Sequence, residues 1–331
     1  MKIYSAYVVC NILDVRIGKL VNEHTTSLGI DIDDYNVVSS DRIDEIIAHM
    51  LVLKREAGGA SLNTFKALAH DSIKSRLYSV IGDDVYGNYV AQELRKYKLI
   101  ESHIKKLRGK STIRYINILD ERGGERIPVI NLDLSPYVVR NIPKDDVKDS
   151  IRSSFVFNLP IFLINTSEYV GFFGELLTEA KKHGTYTIMN LSDPFFARKN
   201  RYFVNLSYEN GWLDLLVGNR YEFEEFDVNS TRYKIPVIIT RDKEGSIIIS
   251  NGEYHEIPSF DVDNEDVKDT SGDGDYFVAG LIKCLYERNT FDLPIIAESC
   301  RYGSYLAAKI IQTVGTDLAL ESDQYEKKNA R

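Results

Sequence analysis

The chain has only three cysteines, Cys10, Cys284 and Cys300, among 331 residues. Their wide spacing and odd number imply neither a disulfide framework nor a zinc module, so reduced thiols in a cytoplasmic protein are expected. No segment approaches the roughly 18 consecutive apolar residues that a bilayer-spanning helix needs, and no membrane association is expected. A basic excess is missing too: 41 Lys and Arg against 49 Asp and Glu give a formal charge of −8, which argues against a general nucleic-acid surface. The six histidines form no His-x-x-x-His pair, and no Gly-x-Ser-x-Gly elbow occurs, which removes the usual zinc and serine-hydrolase readings. Internal repeats and Pro/Gly/Ser-rich linkers are also absent, favouring one domain over residues 1–331.

The composition is that of a soluble globular protein, 44% hydrophobic and 27% charged. The apolar run from Ile3 to Leu13 is broken by Asn11 and followed by Asp14, so it reads as a buried first strand rather than a signal peptide. Strand-like and helical patterns then alternate. A helix is expected near Asp41–Lys54 and another from about Ser61, followed by strand 77–81, helix 85–96, strand 155–157, helix 172–183, and strands 186–190, 213–217 and 237–240. That alternation predicts a mostly parallel sheet in an α/β fold. A hairpin signal interrupts it, Thr112–Leu119 and Glu125–Ile130 joined by Asp120-Glu121-Arg122-Gly123-Gly124. With strand-like stretches between Val15 and Ile32 it would form a small lid from about 12–40 and 108–135. Such a lid would cover the C-terminal strand ends, where open α/β sheets bind ligands.

Asp269-Thr270-Ser271-Gly272-Asp273-Gly274-Asp275 precedes apolar residues at helical spacing, Phe277, Val278, Leu281, Ile282 and Leu285. The free amides of Gly272, Asp273 and Gly274 at a helix N-terminus would bind an anion, and Asp275 could take a proton from an attacking hydroxyl. The alternative is a turn that merely starts a helix. Gly58-Gly59-Ala60-Ser61-Leu62-Asn63 is a second tight turn into a helix, where Asn63 offers both donors and an acceptor to a polyol. Gly109-Lys110-Ser111-Thr112 imitates the end of a P-loop, but Ile104 stands where the first glycine belongs.

Several further stretches complete a pattern: Gly82-Asp83-Asp84 with Gly87, Gly123-Gly124-Glu125-Arg126, Asn190-Leu191-Ser192-Asp193-Pro194, Gly218-Asn219-Arg220-Tyr221-Glu222 and Thr240-Arg241-Asp242-Lys243-Glu244-Gly245. Together with the two glycine turns, and nearly end to end, the chain resembles the ribokinase-like sugar and nucleoside kinases, nearest their adenosine-kinase-like branch. The resemblance implies a three-layer α/β/α domain with a β-lid and ATP-dependent transfer of phosphate to a primary hydroxyl of an adenosine-like nucleoside. The alternatives are a free-sugar kinase and a catalytically weak, nucleotide-binding homologue with a regulatory role.

By position in the motifs, Asp275 would be the base and Gly272, Asp273 and Gly274 the anion hole. Asp14, Asn11, Gly59 and Asn63 would hold the substrate, with Arg126 either meeting phosphate from the lid or lying solvated on its hairpin. Asn190, Asn219, Thr240 and Gly245 would serve ATP, and Glu222 would place Mg²⁺ through water. The resemblance leaves room for K⁺, and for a monomer or a homodimer. Phe155 to Phe162, with the lid, could supply an aromatic slot for a base. Three departures stand out. Asn11 precedes Asp14 by three positions where many relatives have four, and Asp273 and Asp242 replace alanine and glycine. The expectation for Asp273 is a side chain turned away from the phosphate, since a carboxylate about 4 Å from it would cost about 4 kcal/mol.

Overall fold

Tyr4–Val9 is buried at all of its positions and forms the central strand β1. The computed structural model describes residues 2–10, 12–20, 28–31, 35–119, 126–161, 167–225 and 233–318. The strands that follow are β2 (Leu13–Leu20), β3 (Asn36–Val37), β4 (Met50–Gly58), β5 (Ser75–Gly82), β6 (Ile100–Leu107), β7 (Arg114–Leu119), β8 (Arg126–Ile130), β9 (Ser154–Pro160), β10 (Tyr186–Asn190), β11 (Leu215–Asn219), β12 (Val237–Thr240), β13 (Ser246–Ser250) and β14 (Glu253–Ile257).

The larger sheet has the order β14-β13-β12-β11-β10-β9-β1-β5-β6. Every pairing from β12 to β6 is parallel, while β13 and β14 add an antiparallel edge. Helices Ala60–His70, Asp273–Arg288 and Leu293–Ile310 pack with one another, and Lys144–Ser153 and Ser167–Lys182 pack against β1, β9 and β10. Continuous apolar strands need this cover on both faces, which is why the alternation in sequence foretells the layered α/β architecture.

The second sheet has the order β3-β8-β7-β2-β4 and its own small core around Ile43, Ile46, Ile116 and Val129. It draws on both expected lid segments and adds β4. The helix expected near Asp41–Lys54 is therefore corrected: it spans Ser40–Ala48, capped by the Ser39 side chain, and Lys54 lies in β4. Lys105 and Lys106 lie exposed on β6, an edge strand. No helix among the described residues is long and apolar enough to cross a membrane, and the three cysteines are buried free thiols.

Candidate active site

Gly272 caps the helix Asp273–Arg288 in the left-handed region, with φ of 80°. A Cβ there would stand 2.8 Å from Thr316 Cγ2, so both backbone and space require glycine. One turn in, Asp275 is half-buried and accepts a hydrogen bond from Asn63 Nδ2 at 2.8 Å, while Thr64 Oγ1 donates to its carbonyl at 3.1 Å. Burial pushes the Asp275 carboxyl up to about 7; the Asn63 bond opposes this, the Asp273 charge adds to it and Lys66 opposes it. The two glycine turns, 212 positions apart, thus meet as the motifs suggested.

Asp273 overturns its expectation. Its side chain is not turned away from the helix end: Oδ1 accepts the Gly274 amide at 2.7 Å, so one of the three amides expected to bind an anion is already occupied by a carboxylate of the chain. The physical reason is local, because an aspartate at the first position of a helix finds an unpaired amide one residue on.

Asn63 is held from behind. Its Oδ1 lies 2.9 Å from Thr316 Oγ1, and Glu56 Oε1 accepts from Thr316 N and Oγ1, each at 2.8 Å. Buried Lys66 donates to Thr316 Oγ1 at 3.3 Å, with its ammonium 3.9 Å from Glu56. From the lid, Asn117 Nδ2 donates to Ser271 Oγ at 2.8 Å, and Ser271 in turn donates to Asp269, whose other oxygen accepts the Gly315 amide. None of Glu56, Lys66 or Asn117 carries a motif signal for this chemistry. Strand parity from Gly58 back to Glu56 is the only trace in the sequence.

Asp14 is placed otherwise than expected. Opposite residues on paired strands share a face, and β2 pairs Asp14 with Ala57 and Arg16 with Arg55, whereas Val15 pairs with Glu56. Val15 and Glu56 therefore face Asn63 and Thr316, and Asp14 faces away from them. It is fully buried, with Arg55 donating to both its oxygens at 2.8 and 3.1 Å and Arg16 adding a contact at 3.3 Å. The Arg55 guanidinium lies 3.9 Å from the Tyr89 ring centroid. A one-residue change of spacing ahead of a strand exchanges its faces. Asn11 itself, residues 120–125 and the Arg126 side chain lie outside the described residues; Arg126 opens β8.

On the far side, Asn219 and Glu222 form a reciprocal pair. Asn219 donates through N and Nδ2 to the two Glu222 oxygens at 2.9 and 3.0 Å, and Glu222 N donates to Asn219 Oδ1 at 2.9 Å. This is a capping box that starts the short helix Arg220–Glu225. Burial raises the Glu222 carboxyl to about 8 against the pull of the Asn219 amide, with the charges of Asp193, Asp273 and Asp275 raising it further. Among the described residues no group of three or more potential ligands forms a metal cage. The carboxyl and amide oxygens gathered here are hard ligands of the kind that would suit Mg²⁺ held mainly through water.

Asn190 ends β10 and accepts from Ser192 N at 3.1 Å. Thr240 ends β12, and Asp242 beyond it adopts φ of 50° with its carboxylate 3.2 Å from Arg220 Nη2. At Gly245, φ is 83° and a Cβ would collide with the Ile257 carbonyl at 2.1 Å. A cleft of about 280 Å³ opens between segment 260–266 and the helix face carrying Tyr305, Ala308 and Gln312. Phe155 and Phe157 are core residues, Phe155 against Tyr186 and Phe157 stacked on Tyr7 at 4.6 Å, so they do not line a base slot. Partly exposed Tyr35 and Phe195 lie with parallel rings 6.1 Å apart instead.

The profile of the pfkB family carbohydrate kinases matches residues 22–323. The adenosine kinase of Schizosaccharomyces pombe is 24% identical over 172 residues, and the match spans only 45% of this chain and 48% of the yeast protein. Among solved structures, the adenosine kinase from Sinorhizobium meliloti superposes with a TM-score of 0.83 at 20% identity, covering 96% of this chain and 97% of its own. A probable sugar kinase from Rhizobium etli gives 0.85 at 19%, covering 100% and 99%. The adenosine kinase from Schistosoma mansoni in complex with 2-fluoroadenosine gives 0.82 at 20%, covering 97% and 98%. With the family profile running through the glycine turns, the Asn219–Glu222 pair and the Asp275 helix, the chain belongs to the pfkB family of carbohydrate kinases.

Proposed function

We propose that this kinase transfers the γ-phosphoryl group of ATP to a primary hydroxyl of a nucleoside, with Asp275 as the base. The observation that carries the reading is the Asn63–Asp275 hydrogen bond at the mouth of a glycine-capped helix N-terminus. Asp275 removes the hydroxyl proton as the acceptor oxygen attacks, and a carboxyl raised to about 7 is matched to that task near neutral pH. The amides of Gly272, Asp273 and Gly274 face the charge on the transferring group once the Asp273 side chain has released Gly274. When bound, Mg²⁺ supplies charge neutralisation to the phosphates, and Glu222 holds its water shell. Asn190, Asn219, Thr240 and Gly245 border the phosphate side, while the cleft beside Tyr305 accommodates the adenine of ATP. Asn63 and Gly59 serve the acceptor's hydroxyls. Lid closure excludes water and so limits wasteful hydrolysis.

Partly exposed Tyr35, Tyr115 and Phe195 favour a nucleoside over a free sugar. They offer flat apolar surface for a base, and burial beside Tyr115 and Asp193 raises the Tyr35 phenol well above its ordinary value. The test is ADP release over a panel of nucleosides and free sugars with wild type and Asp275→Asn. Turnover with a nucleoside that the variant loses supports the reading; turnover only with free sugars overturns the nucleoside assignment, and none with any acceptor overturns the kinase assignment.

A further inference from the structure

We propose that Glu56 is a positioning residue that acts through the single hydroxyl proton of Thr316, setting which end of the Asn63 carboxamide faces Asp275. The inference rests on the reading of Asp275 as the base. Thr316 Oγ1 is 2.8 Å from Glu56 Oε1 and 2.9 Å from Asn63 Oδ1, and both are acceptors. One O–H cannot serve the two at once. The Lys66 ammonium, itself a donor, occupies another direction at Thr316 Oγ1 and cannot relieve the conflict.

Two complete arrangements follow. In one, the Thr316 hydroxyl donates to Asn63 Oδ1, Asn63 Nδ2 donates to an ionised Asp275, and Glu56 keeps only the Thr316 amide on Oε1. In the other, the hydroxyl donates to Glu56, the carboxamide is turned so that Nδ2 donates to Thr316 Oγ1, and its oxygen accepts from a protonated Asp275. The first is the arrangement the structure shows; a buried carboxylate is the stronger acceptor, so an ionised Glu56 competes for the hydroxyl and raises the share of the second. Glu56 is 3% exposed, and its Oε2 has no hydrogen-bond partner. Little besides Thr316 and Lys66 therefore competes for its charge. In that arrangement Asp275 keeps its proton and must release it to solvent before it can accept one from a hydroxyl, so Glu56 sets how much of the carboxyl is ready to act.

Other charged and titratable groups face this relay. Asp273, Lys66, Glu222 and Tyr276 act on Asp275, while Lys66, Tyr89, Tyr97 and Tyr276 surround Glu56. Loss of the Glu56 charge through space would lower the Asp275 midpoint in the same direction, so the hydroxyl must be tested separately.

The experiment is a ¹³C NMR titration of aspartate carboxyls in the full chain. The Asp275 signal is assigned by its loss in Asp275→Asn, and the titration is repeated for Glu56→Gln, Thr316→Val and the double variant. The expected result is a midpoint about one pH unit lower in each single variant, a tenfold change in proton affinity, with the double variant no lower than the lower of the two. Should Glu56→Gln fail to fold, Thr316→Val alone decides, because it leaves every charge in place. A Thr316→Val midpoint equal to wild type, or two shifts that simply add, overturns the relay. The titration needs no turnover, so a failure of the base assignment, seen as undiminished ADP release by Asp275→Asn, is a separate outcome.

Discussion

Asn63 Nδ2 donates to Asp275 Oδ2 at 2.8 Å, joining the helix that follows β4 to the N-terminus of a helix 212 positions later. The bond brings the side chain proposed to hold the acceptor against the carboxyl proposed as base, which neither glycine turn could do alone.

The raised carboxyl sets a pH dependence. A base must be ionised to act, and burial holds Asp275 near 7, so kcat/KM is expected to fall about tenfold per unit as the pH drops below about 7 and to level off above it. A rate profile between pH 5 and 9 checks this. An acid limb near the ordinary value of 3.8 would show that the base is not held by burial.

The same shift has a consequence for stability. The folded carboxyl titrates near 7 and the unfolded one near 3.8, so between these values the native state binds the extra proton. Stability is then fully present below about pH 4 and is lost as the pH rises to about 7. Asp275→Asn, which cannot ionise, should melt at least about 2 °C above wild type at pH 8 and lose that advantage at pH 4. Calorimetry at the two pH values is the measurement.

Asp273 is expected to suppress turnover modestly. Asp273→Ala frees the Gly274 amide and removes a charge that raises both Asp275 and Glu222, so kcat/KM should rise by up to about tenfold at pH 7, with the acid limb moving down. Steady-state kinetics would reverse this view if the variant lost activity, because the carboxylate would then be aiding phosphate or Mg²⁺ binding.

Asp14 should matter to stability. Asp14→Ala removes the buried anion shared by Arg16 and the partly exposed Arg55, a loss of about 1–3 kcal/mol, seen as a fall of at least about 2 °C in Tm. A hundredfold rise in KM for the acceptor with Tm unchanged would instead return Asp14 to the substrate.

Much of this was legible in the sequence, and its limits have physical causes. Period-2 and period-3.6 patterns and glycine turns are local signals, so β1, β10, β12, the glycine-capped helix and the meeting of Asn63 with Asp275 followed from them, through motif resemblance in the last case. Met50–Gly58 was hidden because its N-terminal residues, Met50 to Leu53, continue the apolar content of the preceding helix. The faces of β2 were hidden because parity depends on where pairing begins, and one residue of spacing decides it.

Composition and motif order by themselves determined the layered α/β fold and the glycine-capped helix that carries Asp275, because these depend on local backbone preference and on residues with few alternatives. Only the tertiary structure decided that Asp14 turns away, that Asp273 caps Gly274, and that Glu56, Lys66 and Thr316 stand behind Asn63. Those are contacts between side chains distant in sequence, set by packing and by competition for single protons, and no local pattern encodes them.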